Sequence, residues 1–170
     1  MTKYDAVART LHWVIALAIV VQIVLGLGHD AWKDAFPAMP IHKAIGMTIL
    51  LLAIVRLGWR LVHTPPALPA TMPRWQVSLA HGLHWIFYFM IIALPLTGWI
   101  ISSAGEYPLS WFSLFDMPKL PVMKGSPLAE AAHEGHEVMG LLLIPLLLLH
   151  IGAALYHHYG VRDDVMRRML

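Results

Sequence analysis

The 170-residue sequence has no cysteine. That absence excludes disulfides, thiolate metal sites, iron–sulfur clusters and covalent haem attachment through a Cys-x-x-Cys-His motif. Charge is scarce as well: 13% of the residues are Asp, Glu, Lys or Arg, against about a quarter in a soluble domain, while 58% are apolar. The formal net charge is only +2, and no basic run interleaves with aromatics, which excludes a nucleic-acid-binding surface. No internal repeat or second domain is visible. Such a chain belongs in a lipid bilayer.

What is present are four apolar stretches, roughly 7–27, 41–62, 79–101 and 130–159. Each has the about 20 residues a helix needs to cross hydrocarbon. They predict an all-α fold, an integral membrane four-helix bundle forming a single membrane domain. Charges at Lys3, Asp5 and Arg9 precede the first stretch, and no small-residue cleavage site follows, so it reads as a span rather than a removable signal. Thr64-Pro65-Pro66-Ala67-Leu68-Pro69 reads as a short stiff connector. The stretch 102–129, rich in proline and aromatics, reads as an ordered cap. Pro95 and Pro145 are expected to bend spans three and four. Lys3, Arg9, Arg56, Arg60, Arg74, Arg162, Arg167 and Arg168 gather on the side of the termini, against Lys33, Lys43, Lys119 and Lys124 opposite. By the positive-inside rule, both termini are expected in the cytoplasm and 102–129 in the periplasm.

Eleven histidines remain. A histidine inside a membrane span is costly to bury and marks a ligand, a proton path or a paired site. His136 and His150 are 14 residues apart in the fourth span, hence within about 40° of one helix face and about 21 Å apart in depth. His12 in the first span matches the depth of His150, and His42 in the second matches that of His136. Two opposed pairs result. Each of the four is followed one turn later by Ala16, Gly46, Gly140 or Ala154, which leaves room for a flat macrocycle beside the helix. The pattern predicts two b haems between the helices, bound through iron by His12, His42, His136 and His150. A single zinc ion cannot be shared by pairs about 21 Å apart.

Other residues carry weaker signals. Arg56 follows His42 by 14 residues and suits a haem propionate at the inner pair, the bland alternative being snorkelling with Arg60. Lys43 suits an outer propionate, an incoming anion or an ordinary span end. His81 and His84 begin span three close enough in depth to compete with His150 for the inner haem, His84 being the candidate replacement, and the two could instead act in proton supply or as interfacial packing. His157 and His158, between Tyr156 and Tyr159, suit either an interfacial anchor or a quinone head group. His29, His63 and His133 carry no assignment.

With Leu11-His12-Trp13, Ile41-His42-Lys43-Ala44-Ile45-Gly46, Val55-Arg56-Leu57-Gly58-Trp59-Arg60, Thr64-Pro65-Pro66, Ala93-Leu94-Pro95 and Tyr156-His157-His158-Tyr159 in view, the sequence resembles the bacterial cytochrome b561 family over essentially its whole length. The resemblance implies an inner-membrane cytochrome with two b haems, whose ligands match His12, His42, His136 and His150. Some members are similar to superoxide oxidases, passing an electron from periplasmic superoxide through both haems to ubiquinone at the cytoplasmic side. His157 matches the residue at the quinone. Other members resemble cytochrome subunits of hydrogenases and formate dehydrogenases, or partner small periplasmic haem proteins. The alternative is therefore a non-enzymatic electron relay or membrane anchor for a periplasmic redox partner. A histidine-rich metal transporter is a third reading.

Overall fold

The computed structural model describes residues 3–32 and 34–170. Lys33, one of the lysines counted on the side opposite the termini, lies outside the described residues. Four helices, α1 (Ala6–Trp32), α2 (Ala38–Val62), α3 (Arg74–Ala104) and α4 (Pro127–Leu155), follow one another, and a β-hairpin of β1 (Leu109–Trp111) and β2 (Phe115–Met117) lies between the last two. α4 continues as a π-helical turn, Tyr156–Val161, and the chain closes with a 3₁₀ turn, Met166–Arg168.

All four helices are long and apolar enough to cross a membrane, and the molecule is a multi-pass membrane protein. Each extends past its apolar stretch, because intrahelical hydrogen bonds remain the cheapest way to satisfy the backbone at the polar boundary. Local chemistry sets the ends. The Asp5 carboxylate accepts from the Ala8 amide at 2.9 Å and caps α1. That hydrogen bond, and then the Trp59 indole, hold the carboxyl below the usual carboxylate range. Ser126 caps α4 through the Ala129 amide, with Pro127 in the first turn.

Leu17, Leu51 and Leu148 lie mid-helix yet are 69, 63 and 67% exposed on the protein surface. In water such a surface would associate; here it meets acyl chains. The core is thin and central: Ile15, Ile19, Ile49, Ala53, Met90, Ile91 and Leu143 form one cluster. Consecutive helices pack in order, α1 on α2, α2 on α3 and α3 on α4. Among the described residues the α4 backbone makes little or no close approach to α1 or α2, and only Ala132 and Leu143 of α4 are buried. Beside α4 there is space.

Both faces of the bundle are closed by ordered chain. On one, the hairpin lays Leu109 on Met47 and Leu50; the Trp111 indole donates to Thr48 Oγ1 at 3.0 Å and the Trp99 indole to the Pro118 carbonyl at 2.9 Å. The stretch 102–129 is thus helical at both ends and paired in the middle. On the other, terminal face, residues 163–170 double back over α1: the Trp13 indole donates to the Met169 carbonyl at 2.9 Å and Arg9 to the Leu170 carbonyl at 2.6 Å. Arg168 ties this strap to the Ala67 carbonyl of the proline connector and to Asp164, whose carboxyl it holds below the usual range.

Candidate functional site

The space beside α4 is bridged by histidines. The ring of His12 on α1 faces that of His150 on α4 with centroids 6.2 Å apart and planes at 71°. The ring of His42 on α2 faces that of His136 on α4 with centroids again 6.2 Å apart and planes at 69°. Two imidazoles bonding one metal atom from opposite sides, with metal–nitrogen bonds of about 2.0–2.1 Å and a ring radius of about 1.2 Å, place their centroids roughly 6.4 Å apart. Both pairs have that spacing. The apolar cluster of Ile15, Ile19, Ile49, Ala53, Met90, Ile91 and Leu143 lies between the two levels.

The site near the hairpin face is a cavity of about 670 Å³ that takes in His42, His136 and Lys43, within the about 300–1,000 Å³ typical of cofactor sites. His136 is oriented from behind: its Nδ1 lies 3.0 Å from the Leu94 carbonyl, to which it donates. Thr97 Oγ1 stands 3.0 Å from the same nitrogen and donates to Leu94 at 2.8 Å. With the Nδ1 proton committed, Nε2 is free to ligate. Two glycines let neighbouring helices close on the rings. A Cβ on Gly26 would stand 3.2 Å from His42 Cε1, and one on Gly98 would stand 3.4 Å from His136 Cε1. Among the described residues nothing beyond its own helix backbone and chain neighbours comes within 4 Å of a Cβ built on Gly140, so the cavity is open beside α4. The buried Gln22 Oε1, also in the cavity lining, has no hydrogen-bond partner among the described residues.

The second site has more polar surroundings. Arg56 donates through Nη1 to the Ala8 carbonyl at 2.9 Å, brings Nη2 to 3.4 Å from His12 Nδ1, and lies 5.8 Å from the Tyr88 ring centroid. Beyond it a cavity of about 550 Å³ is lined by Arg56, Arg60, Tyr4, Trp59 and Tyr88; burial pushes the Tyr4 phenol up against the pull of Arg60. His84 places its ring 5.9 Å from that of His150, at 74°, so three histidines meet at this level. Among the described residues no three His, Asp or Glu side chains converge to hold a bare metal ion.

The remaining sequence candidates separate. His157 lies outside both pairs, its Nδ1 2.5 Å from Asp163 Oδ2. His158 packs on Tyr159, ring centroids 4.6 Å apart. His63 stacks on Trp59 at 3.9 Å. His29 and His133, without assignment in the sequence, both line the larger cavity. Sequence reasoning also missed Gly26, Gly98, Thr97, the Leu94 carbonyl and Asp163. Except for Asp163, each supports a ring carried by a different helix, and no local pattern signals such a contact.

The family model described as prokaryotic cytochrome b561 matches residues 3–170. Among curated relatives, "Cytochrome b561 homolog 2" of Escherichia coli (strain K12) is 29% identical, covering 99% of this chain and 91% of that protein. "Probable superoxide oxidase CybB" of Yersinia pestis is 30% identical, covering 99% and 96%. "Cytochrome b562" of Cereibacter sphaeroides is 26% identical, covering 98% and 94%.

Proposed function

The chain belongs to the prokaryotic cytochrome b561 family, and from that premise we propose that it holds two b haems and moves electrons between a donor at the hairpin face and ubiquinone at the terminal face. It is a b-type membrane cytochrome of an electron-transport family. The observation that carries the reading is the 6.2 Å spacing repeated at two levels, where α4 stands off α1 and α2. His12 and His150 would hold one haem, His42 and His136 the other. Bound there by these histidines, haem would supply one-electron chemistry, which suits outer-sphere transfer rather than oxygen binding.

The protein's own groups do the rest. The Leu94 carbonyl sets the His136 tautomer. The apolar cluster between the two levels keeps water out, so charge crosses as electrons. Arg56 is the proposed partner of a propionate carboxylate at the inner pair, because a guanidinium there needs an anion and, among the described residues, its hydrogen bonds go to the Ala8 carbonyl and His12 rather than to a carboxylate. Lys43, in the lining of the larger cavity, would take an outer propionate or attract an anionic donor. His157, beyond the inner pair, supplies a hydrogen bond and a proton to the quinone. The lysine and arginine excess supports a terminal face in the cytoplasm of a bacterial inner membrane, with both termini inside.

The donor divides two versions. Superoxide is supported by the likeness to the probable superoxide oxidase of Yersinia pestis. A relay or membrane anchor for a periplasmic redox protein is supported by the hairpin, where Phe112, Leu114 and Phe115 are exposed. Lys119 and Lys124 there are engaged by the Gly105 carbonyl and the Glu106 carboxylate. Anaerobic, dithionite-reduced protein mixed with ubiquinone-1 is expected to reoxidise within seconds. Haem that stays reduced in ubiquinone yet is oxidised by ferricyanide would remove the quinone from the proposal. A superoxide pulse that reduces the oxidised protein selects the first donor; no reduction selects the second.

A further inference from the structure

The turn after α4 places a carboxylate on His157. The helix widens into the π-helical turn Tyr156–Val161, and Arg162 adopts a left-handed conformation at φ 60°. Both are uncommon in a non-glycine chain and recur where function demands them. The reversal they produce is tightly specified. The Asp163 amide donates to the His157 carbonyl at 3.1 Å, Asp163 Oδ1 accepts from the Val165 amide at 3.0 Å and the Asp163 carbonyl accepts from Arg167 at 3.1 Å. The remaining oxygen, Oδ2, meets His157 Nδ1 at 2.5 Å, and the two side chains are only 12 and 15% exposed. The neighbouring Asp164 turns away to Arg168, and the Tyr156 ring stands 5.9 Å from His157.

None of this is needed to end a transmembrane helix. We propose that Asp163 is the positioning residue of His157: its carboxylate holds the Nδ1 proton, so that Nε2 is the ring nitrogen that gives a proton to a quinone oxygen. The proposal rests on the reading that His157 meets the quinone. In balance, two electrons arriving singly from b haem and two protons convert one quinone to quinol. The Nδ1-protonated ring takes a solvent proton onto Nε2, passes it as the imidazolium to one quinone oxygen and so returns to the neutral Nδ1-protonated form; the second proton comes from solvent. The carboxylate loses nothing; it keeps the ring in one tautomer and orientation, as a buried aspartate does for a catalytic histidine elsewhere.

The test uses the haem-loaded protein with ¹⁵N-labelled histidine and ubiquinone-1 as the probe. In the unsubstituted protein the His157 ring, assigned by its loss in His157→Gln, is expected to carry its proton on Nδ1; an Nε2-protonated neutral ring overturns the proposal. Asp163→Asn is expected to lower kcat for ubiquinone-1 about 10- to 100-fold, a fraction of what a full acid–base group supplies, with KM within about twofold and haem content unchanged. An unchanged kcat overturns it. Asp164→Asn, which loosens the same strap but leaves Asp163 on His157, is expected to match the unsubstituted protein. Asp163→Glu keeps a carboxylate and is expected to recover at least about a third of kcat; a variant as slow as Asp163→Asn would make Asp163 a mere turn-former and overturn the assignment. If His157→Gln reduces ubiquinone-1 at the normal rate, the quinone reading of His157 itself falls, whatever Asp163→Asn does.

Discussion

Replacing His150 with alanine is expected to leave one haem per chain, and replacing His136 should leave one haem of a different kind. Loss of an axial imidazole removes a metal–ligand bond and opens the pocket on one side, whereas the other site lies about 21 Å away along α4, behind the apolar cluster around Ile49, Ala53 and Leu143. The sites should therefore fail separately. The pairing makes a sharper forecast: His12→Ala should match His150→Ala, and His42→Ala should match His136→Ala, in the haem band each abolishes. His84→Ala should keep both haems. A pyridine haemochrome assay with reduced-minus-oxidised spectra reads all five variants. If His84→Ala loses the inner haem while His12→Ala retains it, the inner pair is His84 with His150, whose rings are 5.9 Å apart.

Arg56→Gln should make the inner haem harder to reduce. The guanidinium reaches within 3.4 Å of His12 Nδ1, beside the inner pair. A unit positive charge at roughly 7 Å, in an effective dielectric of about 20, favours the extra electron by about 2 kcal/mol, or roughly 90 mV. The midpoint potential of one haem should fall by an amount of that order, the other moving little. Arg56→Lys keeps the charge but not the planar fork that reaches both Ala8 and His12. It should recover most of the potential and less of the haem content. A spectroelectrochemical titration in which Arg56→Gln leaves both potentials unmoved would assign Arg56 to holding α1 alone.

How far this could be read from sequence follows from the range of each interaction. His136 and His150 share one helix, so their 14-residue separation carries a face and a depth directly. Arg56, also 14 residues after His42, was expected at the inner level, and its guanidinium lies beside His12. What depends on another helix is not legible. Gly26 closes on His42 and Gly98 on His136, and nothing in their own neighbourhoods distinguishes them from other glycines of apolar helices. Helix ends were underestimated for a physical reason. Hydropathy marks where hydrocarbon begins, around residue 79, whereas α3 starts at Arg74 after Pro73 because proline sets the first turn regardless of polarity. The same limit hid His29 and His133, which look like end residues by composition and yet line the larger cavity. Asp163 is six residues from His157, but it arrives there through a π-turn and a left-handed Arg162, two features that propensity disfavours and tertiary structure imposes.

In the proposed arrangement one helix presents histidines at two levels to partners on two others, each pair gripping an iron. Haem quantitation combined with low-temperature electron paramagnetic resonance of the oxidised, unsubstituted protein tests it most directly. Two haems per chain are expected, both low-spin and six-coordinate. Their signals should be the strongly anisotropic ones of ring planes set far from parallel, as the 71° and 69° angles require. One haem per chain, or a high-spin five-coordinate iron at either level, would contradict it.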